Sequence, residues 1–275
     1  MIYKQNLHTH STFCDGKDSI FDMAEQALQK GFKSLGFSSH SFNPHYYTDA
    51  LYAEKIEAYC AEIARVKELF KDKLEIYCGI EWECLFDIPL DKFEYVIGAM
   101  HWFADGDKKI SFDLSNLDKF KEILDQNYSG DYLRFARKYY EEFAKFAQNP
   151  KIDKVSFIAH FDIVSKFCEK ADFVDVNSKE YKKTALDCLH ELNKKVPFFE
   201  VNTGGMARGY RKAPYPAPFI MKELKELNSG IIITTDCHDK TKLDYAIDDA
   251  IEYVRSFGID TLQIFNGKEF EGIKI

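Results

Sequence analysis

The sequence predicts a single α/β domain in which parallel strands alternate with helices and close into a barrel. Short β-rich runs alternate with charged, helix-forming segments along the whole chain, which indicates parallel strands with helices packed outside them. Seven or eight such units favour a barrel over an open sheet. The length of 275 residues suits one such barrel, and no Pro/Ser-rich linker or block of charge divides the chain. We therefore expect one domain over residues 1–275.

The predicted strands are short runs rich in β-branched and aromatic residues. In chain order they are Ile2–Leu7, Ser34–Ser38, Leu74–Ile80, Tyr95–Ala99, Val155–Ala159, Pro197–Val201 and Ile231–Thr234. A further strand-like run, Thr261–Phe265, follows near the end of the chain.

Helices are predicted where apolar residues recur at spacings of three and four. The first, Ile20–Lys30, has Asp18 and Ser19 as capping residues and Gly31 at its end. The same pattern predicts Ala53–Phe70, Tyr132–Phe146, Lys182–Lys194, Pro218–Leu227 and Tyr245–Phe257.

Residues 102–150 form the longest departure from this alternation. We expect a long connection between strand and helix, in which an irregular stretch with a polar turn at Asp105–Lys109 precedes the extra helix Tyr132–Phe146. Long connections at the carboxyl-terminal rim of a barrel often cover the active site. The alternative is that this helix is a surface addition.

The composition limits the classes of partner. The chain has 37 Lys and Arg against 45 Asp and Glu, and its net charge of −8 argues against nucleic-acid binding as its main function. A phosphorylated small molecule stays compatible with this charge if cations line its pocket. The N-terminus lacks the apolar core of a signal peptide, and no apolar run approaches the roughly 20 residues of a membrane helix. Seven cysteines without a CxxC pair indicate reduced thiols, so we expect a cytoplasmic protein without a membrane partner.

Metal-ligand side chains recur at the carboxyl ends of the predicted strands. Six of the eight histidines lie there, accompanied by two carboxylates, and the set is His8, His10, His40, Glu81, His101, His160, Asp236 and His238. Because the strand ends of a barrel converge on one rim, this pattern predicts a polynuclear metal site. His45 and His190 fit no strand end and are predicted loop and surface residues. Spacing alone makes Asp15 a turn residue, and Glu83 either solvated or a support for a ligand.

The ordered motifs resemble a known family. HTH (8–10), SxH (38–40), GxE (79–81), GAMHW (98–102), AHFD (159–162), EVNTGG (200–205) and TDCH (235–238) resemble the PHP metallophosphoesterase superfamily. Within it, the chain is most similar to the PHP-type histidinol-phosphate phosphatases, on the segments FxEVNTGGMxR (198–208), PYPAP (214–218), HFD (160–162) and LQIF (262–265). The resemblance spans essentially the whole chain.

The resemblance implies a distorted (β/α)7 TIM-like barrel that holds two to three divalent ions. Carried over by residue, the first ion is held by His8, His10, Glu81 and Asp236. Glu81 bridges to a second ion with His101 and His160, and a third is held by Asp15, His40 and His238. Zn, Mn and Fe all suit such His/carboxylate sites. Asp15 stands where many relatives carry His, and Gly204 stands where Ser is common.

The implied reaction is attack of an activated water on phosphorus. Asp236, His238 and Arg208 are the predicted catalytic residues, and Arg208, His101 and His160 the predicted substrate contacts. Arg211 and Lys212 are weaker candidates for the phosphate contact. A metal-bound water, Asp162 or His238 could protonate the departing alkoxide.

The leading hypothesis is hydrolysis of L-histidinol phosphate to L-histidinol and phosphate in histidine biosynthesis. The alternatives are a PHP phosphoesterase acting on a nucleotide or on phosphotyrosine, and a non-catalytic metal-binding domain. A dinuclear amidohydrolase is a further possibility, but no predicted strand ends in the Lys that such a site needs. Glu83, Asp87 and residues 102–130 are candidates for recognising the imidazole and the amine of the substrate, and the oligomeric state is left open.

Overall fold

Seven parallel strands form a nearly closed barrel in the computed structural model, which describes residues 3–42, 51, 53–84 and 86–275. The barrel strands are β1 (Gln5–Asn6), β2 (Ser34–Phe37), β3 (Glu75–Glu83), β4 (Tyr95–Ala99), β7 (Phe157–Ile158), β8 (Phe198–Asn202) and β9 (Gly230–Thr234), and they neighbour one another in that order. Backbone hydrogen bonds from His10 N to Cys237 O (2.8 Å) and from Cys237 N to His8 O (3.1 Å) join the first strand to the last. The predicted α/β barrel is thereby confirmed.

Helices surround the barrel and follow each of its strands except β3. They are α1 (Ile20–Gln29), α2 (Ala53–Phe70), α3 (Leu117–Tyr128), α4 (Tyr132–Lys145), α5 (Lys179–Asn193), α6 (Gly204–Ala207), α7 (Pro218–Glu226) and α8 (Ile247–Arg255). The predicted cap of α1 is present, because the Ser19 side chain accepts a hydrogen bond from Asp22 N and Gly31 follows with a φ of +76°. No helix in the described ranges is long and apolar enough to cross a membrane.

Tyr95 of β4 fills the barrel interior beside two glycines. A Cβ on Gly79 would lie 2.2 Å from Tyr95 Cζ, and one on Gly36 would lie 2.3 Å from Tyr95 Oη. The Tyr95 hydroxyl donates to Leu7 O at 2.5 Å, so it also links β4 to the end of β1. The two glycines are therefore needed for space, not for an unusual backbone conformation.

Residues 102–150 differ from the prediction of an irregular stretch followed by one helix. They contain an antiparallel hairpin, β5 (Trp102–Asp105) with β6 (Lys108–Ser111), and two helices, α3 and α4. The Asn116 side chain caps α3, and Phe120 packs on Phe135 of α4 with ring centroids 5.5 Å apart. The many charged residues of α3 concealed this apolar face in the sequence.

The strand-like run Thr261–Phe265 is also a strand, β10, but it does not extend the barrel. It pairs antiparallel with β11 (Phe270–Lys274) in a separate two-stranded sheet. The barrel is thus seven-stranded, as the resemblance implied.

Candidate metal centre

The carboxyl ends of the barrel strands place the predicted ligands at one rim. His8 and His10 follow β1, His40 follows β2, and Glu81 lies two residues before the end of β3. The remaining residues, His101, His160, Asp236 and His238, follow β4, β7 and β9. His160 and Asp236 have positive φ values of 22° and 47°, a backbone conformation that non-glycine residues adopt at a cost and that is concentrated at functional sites.

The structure brings all nine predicted ligand residues together. They form four overlapping groups, in each of which one ligand atom per residue lies within 4.8 Å of the others. The groups are His10, Asp15, His40 and His238; His8, His10 and Asp236; His8, Glu81 and His160; and His40, Glu81 and His101. These four groups divide the residues differently from the three ligand sets that the resemblance implied, but the same nine residues make up both.

Glu81 is the centre of this arrangement. Its Oε2 lies 2.7 Å from His40 Nδ1 and 3.3 Å from His8 Nε2. Its Oε1 lies 2.9 Å from His160 Nε2 and 3.2 Å from His101 Nε2. A carboxylate that faces imidazoles from four strand ends is suited to bridging cations.

Asp15 reaches the site although it lies in a loop. A tight turn folds residues 11–16 back on themselves, with Gly16 N donating to Ser11 O at 3.1 Å. A Cβ on Gly16 would lie 2.4 Å from Ser11 N, so glycine is required for this close approach. The turn places Asp15 Oδ1 3.2 Å from His238 Nε2 and 3.5 Å from His40 Nε2. Asp15 is therefore both a turn residue and a member of the site.

The donor set fits divalent metal ions. His8 Nε2 and His10 Nε2 are buried and have no hydrogen-bond partner, although both face the carboxylate of Asp236 at 3.6 and 3.2 Å. Buried nitrogens without a partner are rare in folded proteins and often mark the place of an ion. Imidazoles and carboxylates are the ligands that Zn, Mn and Fe accept.

Two further buried carboxylates orient the histidines. Glu200 Oε1 accepts from His8 Nδ1 at 2.7 Å, and Glu83 Oε2 accepts from His101 Nδ1 at 3.0 Å. Each bond directs the other ring nitrogen, Nε2, towards Glu81. Of the roles predicted for Glu83, which were a solvated residue, a support for a ligand and a substrate contact, the structure supports that of a ligand support. The sequence analysis did not predict the same role for Glu200. Glu200 lies two residues before the end of β8, a position that directs its side chain towards the barrel interior.

The electrostatics of the site favour the ligand forms of Glu81 and His10, whereas for His8, His40 and His101 the neighbouring carboxylates outweigh burial and raise the pKa above its usual value. Burial opposes the ionised form of Glu81, but the imidazoles of His40, His8 and His101 outweigh it and hold the carboxyl pKa well below its usual range. Burial, with His238 and His40 nearby, lowers the pKa of His10 to about 3. The carboxylate is thus ionised and this imidazole neutral at physiological pH.

Arg208 joins the site from the end of α6. Its Nη1 donates to Asp236 O at 3.0 Å, and its Nη2 donates to Asp236 Oδ2 at 2.5 Å. A Cβ on Gly204 would lie 2.9 Å from Asp236 Oδ2, so the glycine gives Asp236 room beside α6. Arg208 also lines a cavity of about 450 Å³ together with Asp15, His40, His101, Asp236 and His238.

Two predicted alternatives lie elsewhere. Asp162 was a candidate proton donor at the rim, but it is fully buried, accepts from Ala217 N at 3.0 Å and faces Arg211 Nη1 at 3.8 Å. The prediction is wrong because the chain turns inwards after His160. Arg211 is buried with Asp162, and neither Arg211 nor Lys212 lines the cavity, so Arg208 is the cation of this loop that faces it.

The other residues named from the sequence are peripheral. His190 pairs with Glu223 at 2.6 Å on the surface, as predicted. Asp87 is exposed and pairs with Lys151. His45 lies outside the described residues. Of residues 102–130, the cavity is lined by Asp113, Leu114, Ser115 and Lys119.

Comparison with known proteins gives the same fold and places the site within a family. The chain is 23% identical over 271 residues to the histidinol-phosphatase of Bacillus subtilis (strain 168), covering 91% of this chain and 99% of that protein. Its fold matches hisK from Listeria monocytogenes with a TM-score of 0.78 at 17% identity, covering 90% of this chain and 99% of that one. It also matches histidinol phosphate phosphatase from Lactococcus lactis subsp. lactis Il1403, solved with zinc, L-histidinol and phosphate. That match has a TM-score of 0.71 at 20% identity and covers 98% of this chain and 100% of the other.

The family match covers most of the chain. The PHP domain matches residues 6–204, a range that runs from β1 to the start of α6. It includes every residue of the candidate centre except Asp236 and His238. The chain belongs to the PHP domain family.

Proposed function

We propose that this chain is a metal-dependent phosphatase that hydrolyses L-histidinol phosphate to L-histidinol and phosphate in histidine biosynthesis. The observation that carries the proposal is the convergence of nine His and carboxylate residues, with Arg208, on one cavity at the barrel rim. The relative from Bacillus subtilis bears this activity in its name, and the one from Lactococcus lactis was solved with both reaction products. A cavity of about 450 Å³ has the size of a small-molecule site.

The nine residues of the four groups would hold two to three ions, with Zn, Mn or Fe as the suitable metals. When bound, such ions lower the pKa of water and neutralise charge that develops on a transferring phosphoryl group. Glu200 and Glu83 hold His8 and His101 with Nε2 directed to the site.

Substrate contacts are assigned to the residues that face the cavity. Arg208, held by Asp236, presents a planar fork of donors suited to phosphate oxygens. His101 lines the cavity, and His160 lies beside it, with its Nε2 2.9 Å from the same Glu81 oxygen that faces His101. His238 lies 3.2 Å from Arg208 Nη1 and is partly exposed, so it is the proposed rim residue for protonating the departing alkoxide when two ions are bound and the group of His10, Asp15, His40 and His238 holds none.

The proposed setting is the cytoplasm. All seven cysteines are free thiols, which is typical of a reducing compartment. The proposed partner is the small phosphorylated substrate, and the acidic chain, with a net charge of −8, is poorly suited to nucleic acid.

The test is a comparison of kcat/KM for L-histidinol phosphate, a nucleoside bisphosphate and a phosphotyrosine peptide, with metal analysis of the same preparation. We expect bound divalent metal and the highest kcat/KM for L-histidinol phosphate. A higher value for either other substrate would reject the assignment of substrate. A preparation without metal and without metal-dependent turnover would reject the phosphatase itself.

A further inference from the structure

Two thiols contact each other on the outer side of the barrel. Cys60 lies in α2 and Cys78 in β3, and the Cys78 thiol donates a hydrogen bond to Cys60 Sγ at 3.6 Å. Side chains alternate between the two faces of a strand, so Cys78 packs towards the helices while Glu81, three residues later, faces the barrel interior. The thiol pair is therefore separate from the metal centre.

A hydrogen bond between the neighbours of the two cysteines holds the thiols together. Tyr59, which precedes Cys60, donates its hydroxyl to the backbone oxygen of Gly79, which follows Cys78, at 3.0 Å. Tyr59 is fully buried, so this bond is shielded from water. The bond fixes the helix against the strand at the position of the thiols.

A second link joins the same helix and strand through a carboxylate. The backbone N–H of Cys78 donates to Glu94 Oε2 at 2.7 Å, and Glu94 Oε1 pairs with the Lys67 ammonium of α2 at 2.9 Å. A hydrogen bond between thiols is weak by itself. The contact of the sulfurs is therefore imposed by the surrounding fold and not by that bond.

The two thiols differ in exposure and reactivity. Cys60 is partly exposed, whereas Cys78 is only 9% exposed. The hydrogen bond from Cys78 lowers the pKa of the Cys60 thiol below its usual value, which favours the nucleophilic thiolate. A dissolved oxidant thus reaches Cys60 first, with the Cys78 sulfur already in contact.

We propose that Cys60 and Cys78 form a redox-modification site at which a hydroperoxide converts the two thiols reversibly into a disulfide. The Cys60 thiolate attacks a peroxide oxygen and the O–O bond breaks, which leaves a sulfenic acid and releases water or an alcohol. The Cys78 sulfur then attacks the Cys60 sulfur. The S–S bond forms, the S–O bond breaks, and the hydroxide leaves as water with the Cys78 proton. The two thiols supply the two electrons that reduce the peroxide, and a dithiol reductant reverses the reaction.

The function of the pair is to protect Cys60 from irreversible oxidation. A sulfenic acid that meets no thiol is oxidised further to a sulfinic acid, which thiol reductants do not reverse. A disulfide has a sulfur separation of about 2.05 Å, so the two sulfurs need to approach by about 1.5 Å. Because Cys78 and Glu81 lie on opposite faces of β3, this movement takes place outside the metal centre. The inference is independent of the proposed function.

The experiment treats the full-length, zinc-loaded protein with hydrogen peroxide, since zinc has no redox chemistry of its own. Remaining thiols are alkylated and the peptides are mapped by mass spectrometry. We expect a peptide that joins Cys60 to Cys78 with a mass loss of about 2 Da, and its disappearance after dithiothreitol. The wild-type measurement depends on no substitution.

Two variants test the order of the steps. In Cys78→Ser, dimedone should trap Cys60 as a sulfenic acid, and continued oxidation should give a sulfinic acid that dithiothreitol does not remove. In Cys60→Ser, Cys78 should stay a thiol, because it is covered. Cys168→Ser is the matched control, since Cys168 is also a partly exposed free thiol, and the joined peptide should form in unchanged yield.

Three results would overturn the inference. The first is that both thiols survive a dose of peroxide that oxidises free glutathione completely. The second is that Cys60 accumulates as a sulfinic acid in the wild-type protein as fast as in Cys78→Ser. The third is that wild-type Cys60 pairs with a cysteine other than Cys78.

Discussion

Replacement of Glu200 by Gln tests whether the buried carboxylate sets the ligand form of His8. Glu200 Oε1 accepts from His8 Nδ1 at 2.7 Å and from Thr234 Oγ1 at 2.5 Å, and its Oε2 accepts from His160 N at 2.7 Å and Asn202 Nδ2 at 2.9 Å. All four partners are donors to a carboxylate that is 1% exposed. An amide has one oxygen, so one of these two pairs of donors must face an NH₂ group instead.

The consequence for His8 follows from its two ring nitrogens. With ionised Glu200, the neutral imidazole carries its proton on Nδ1, and Nε2 keeps a lone pair that faces Glu81 and Asp236. With an NH₂ group at Oε1, Nδ1 must accept and the proton moves to Nε2, which removes its lone pair from the site. If the NH₂ group lies at Oε2 instead, the backbone of His160 loses its acceptor.

Either orientation of the amide weakens metal binding. Loss of a carboxylate that supports a ligating histidine typically lowers metal affinity about 10- to 100-fold, which corresponds to roughly 1.4–2.8 kcal/mol. The assay is competition between protein and a chelator of known affinity, read as bound metal, with kcat measured at saturating metal. The matched control is Glu223→Gln, which removes a carboxylate from His190 in a surface pair of similar length (2.6 Å). Unchanged metal affinity in Glu200→Gln would refute the reasoning, even if its stability falls.

Other predictions test the remaining parts of the fold and site. Arg208→Lys should lower kcat/KM about 10- to 100-fold and raise the Ki for phosphate, because a point charge replaces a fork of donors; an unaltered Ki would remove Arg208 from the phosphate contact. Arg211→Met should lower the free energy of unfolding in urea by about 3–5 kcal/mol, because it leaves Asp162 buried without its cation, while bound metal stays the same. Gly79→Ala should lower the free energy of unfolding by about 1–3 kcal/mol, because the added methyl group overlaps the Tyr95 ring. Chelation should abolish turnover and lower the Tm in scanning fluorimetry, with both restored by Zn or Mn.

Most of the rim could be predicted from the sequence because it depends on local order. Each strand is a short run whose end is visible, and parallel strands of a barrel must deliver those ends to one face. His8, His101 and His160 could therefore be placed together without knowledge of any contact. Asp15 needed the family resemblance, because the fold-back that carries it depends on the close approach of Gly16 to Ser11.

The structure could not be predicted from the sequence where long-range packing determines the position of a residue or a helix. Asp162 lies two residues after His160, and strand periodicity would keep both on the same side. The chain instead leaves the strand at His160, with a φ of 22°, and buries Asp162 against Arg211 and Ala217. The sequence did not predict helix α3 for a similar reason, because five of its twelve residues are charged and its apolar face is defined by contact with Phe135.

The distribution of buried charge connects the folding of this chain with its proposed chemistry. Glu81, Glu83, Glu200 and Asp236 are each at most 6% exposed and lie under one rim. Among the described residues, Arg208 contacts this set through Asp236, and the carboxylates outweigh burial and raise the pKa of His8 and His101. Several buried anions destabilise a fold unless positive charge, from protonated imidazoles or from bound ions, offsets them. Some of the acidic residues behind the net charge of −8 thus lie at the rim, where they form a binding site for cations. Cations bound there would in turn attract a phosphate ester to the cavity.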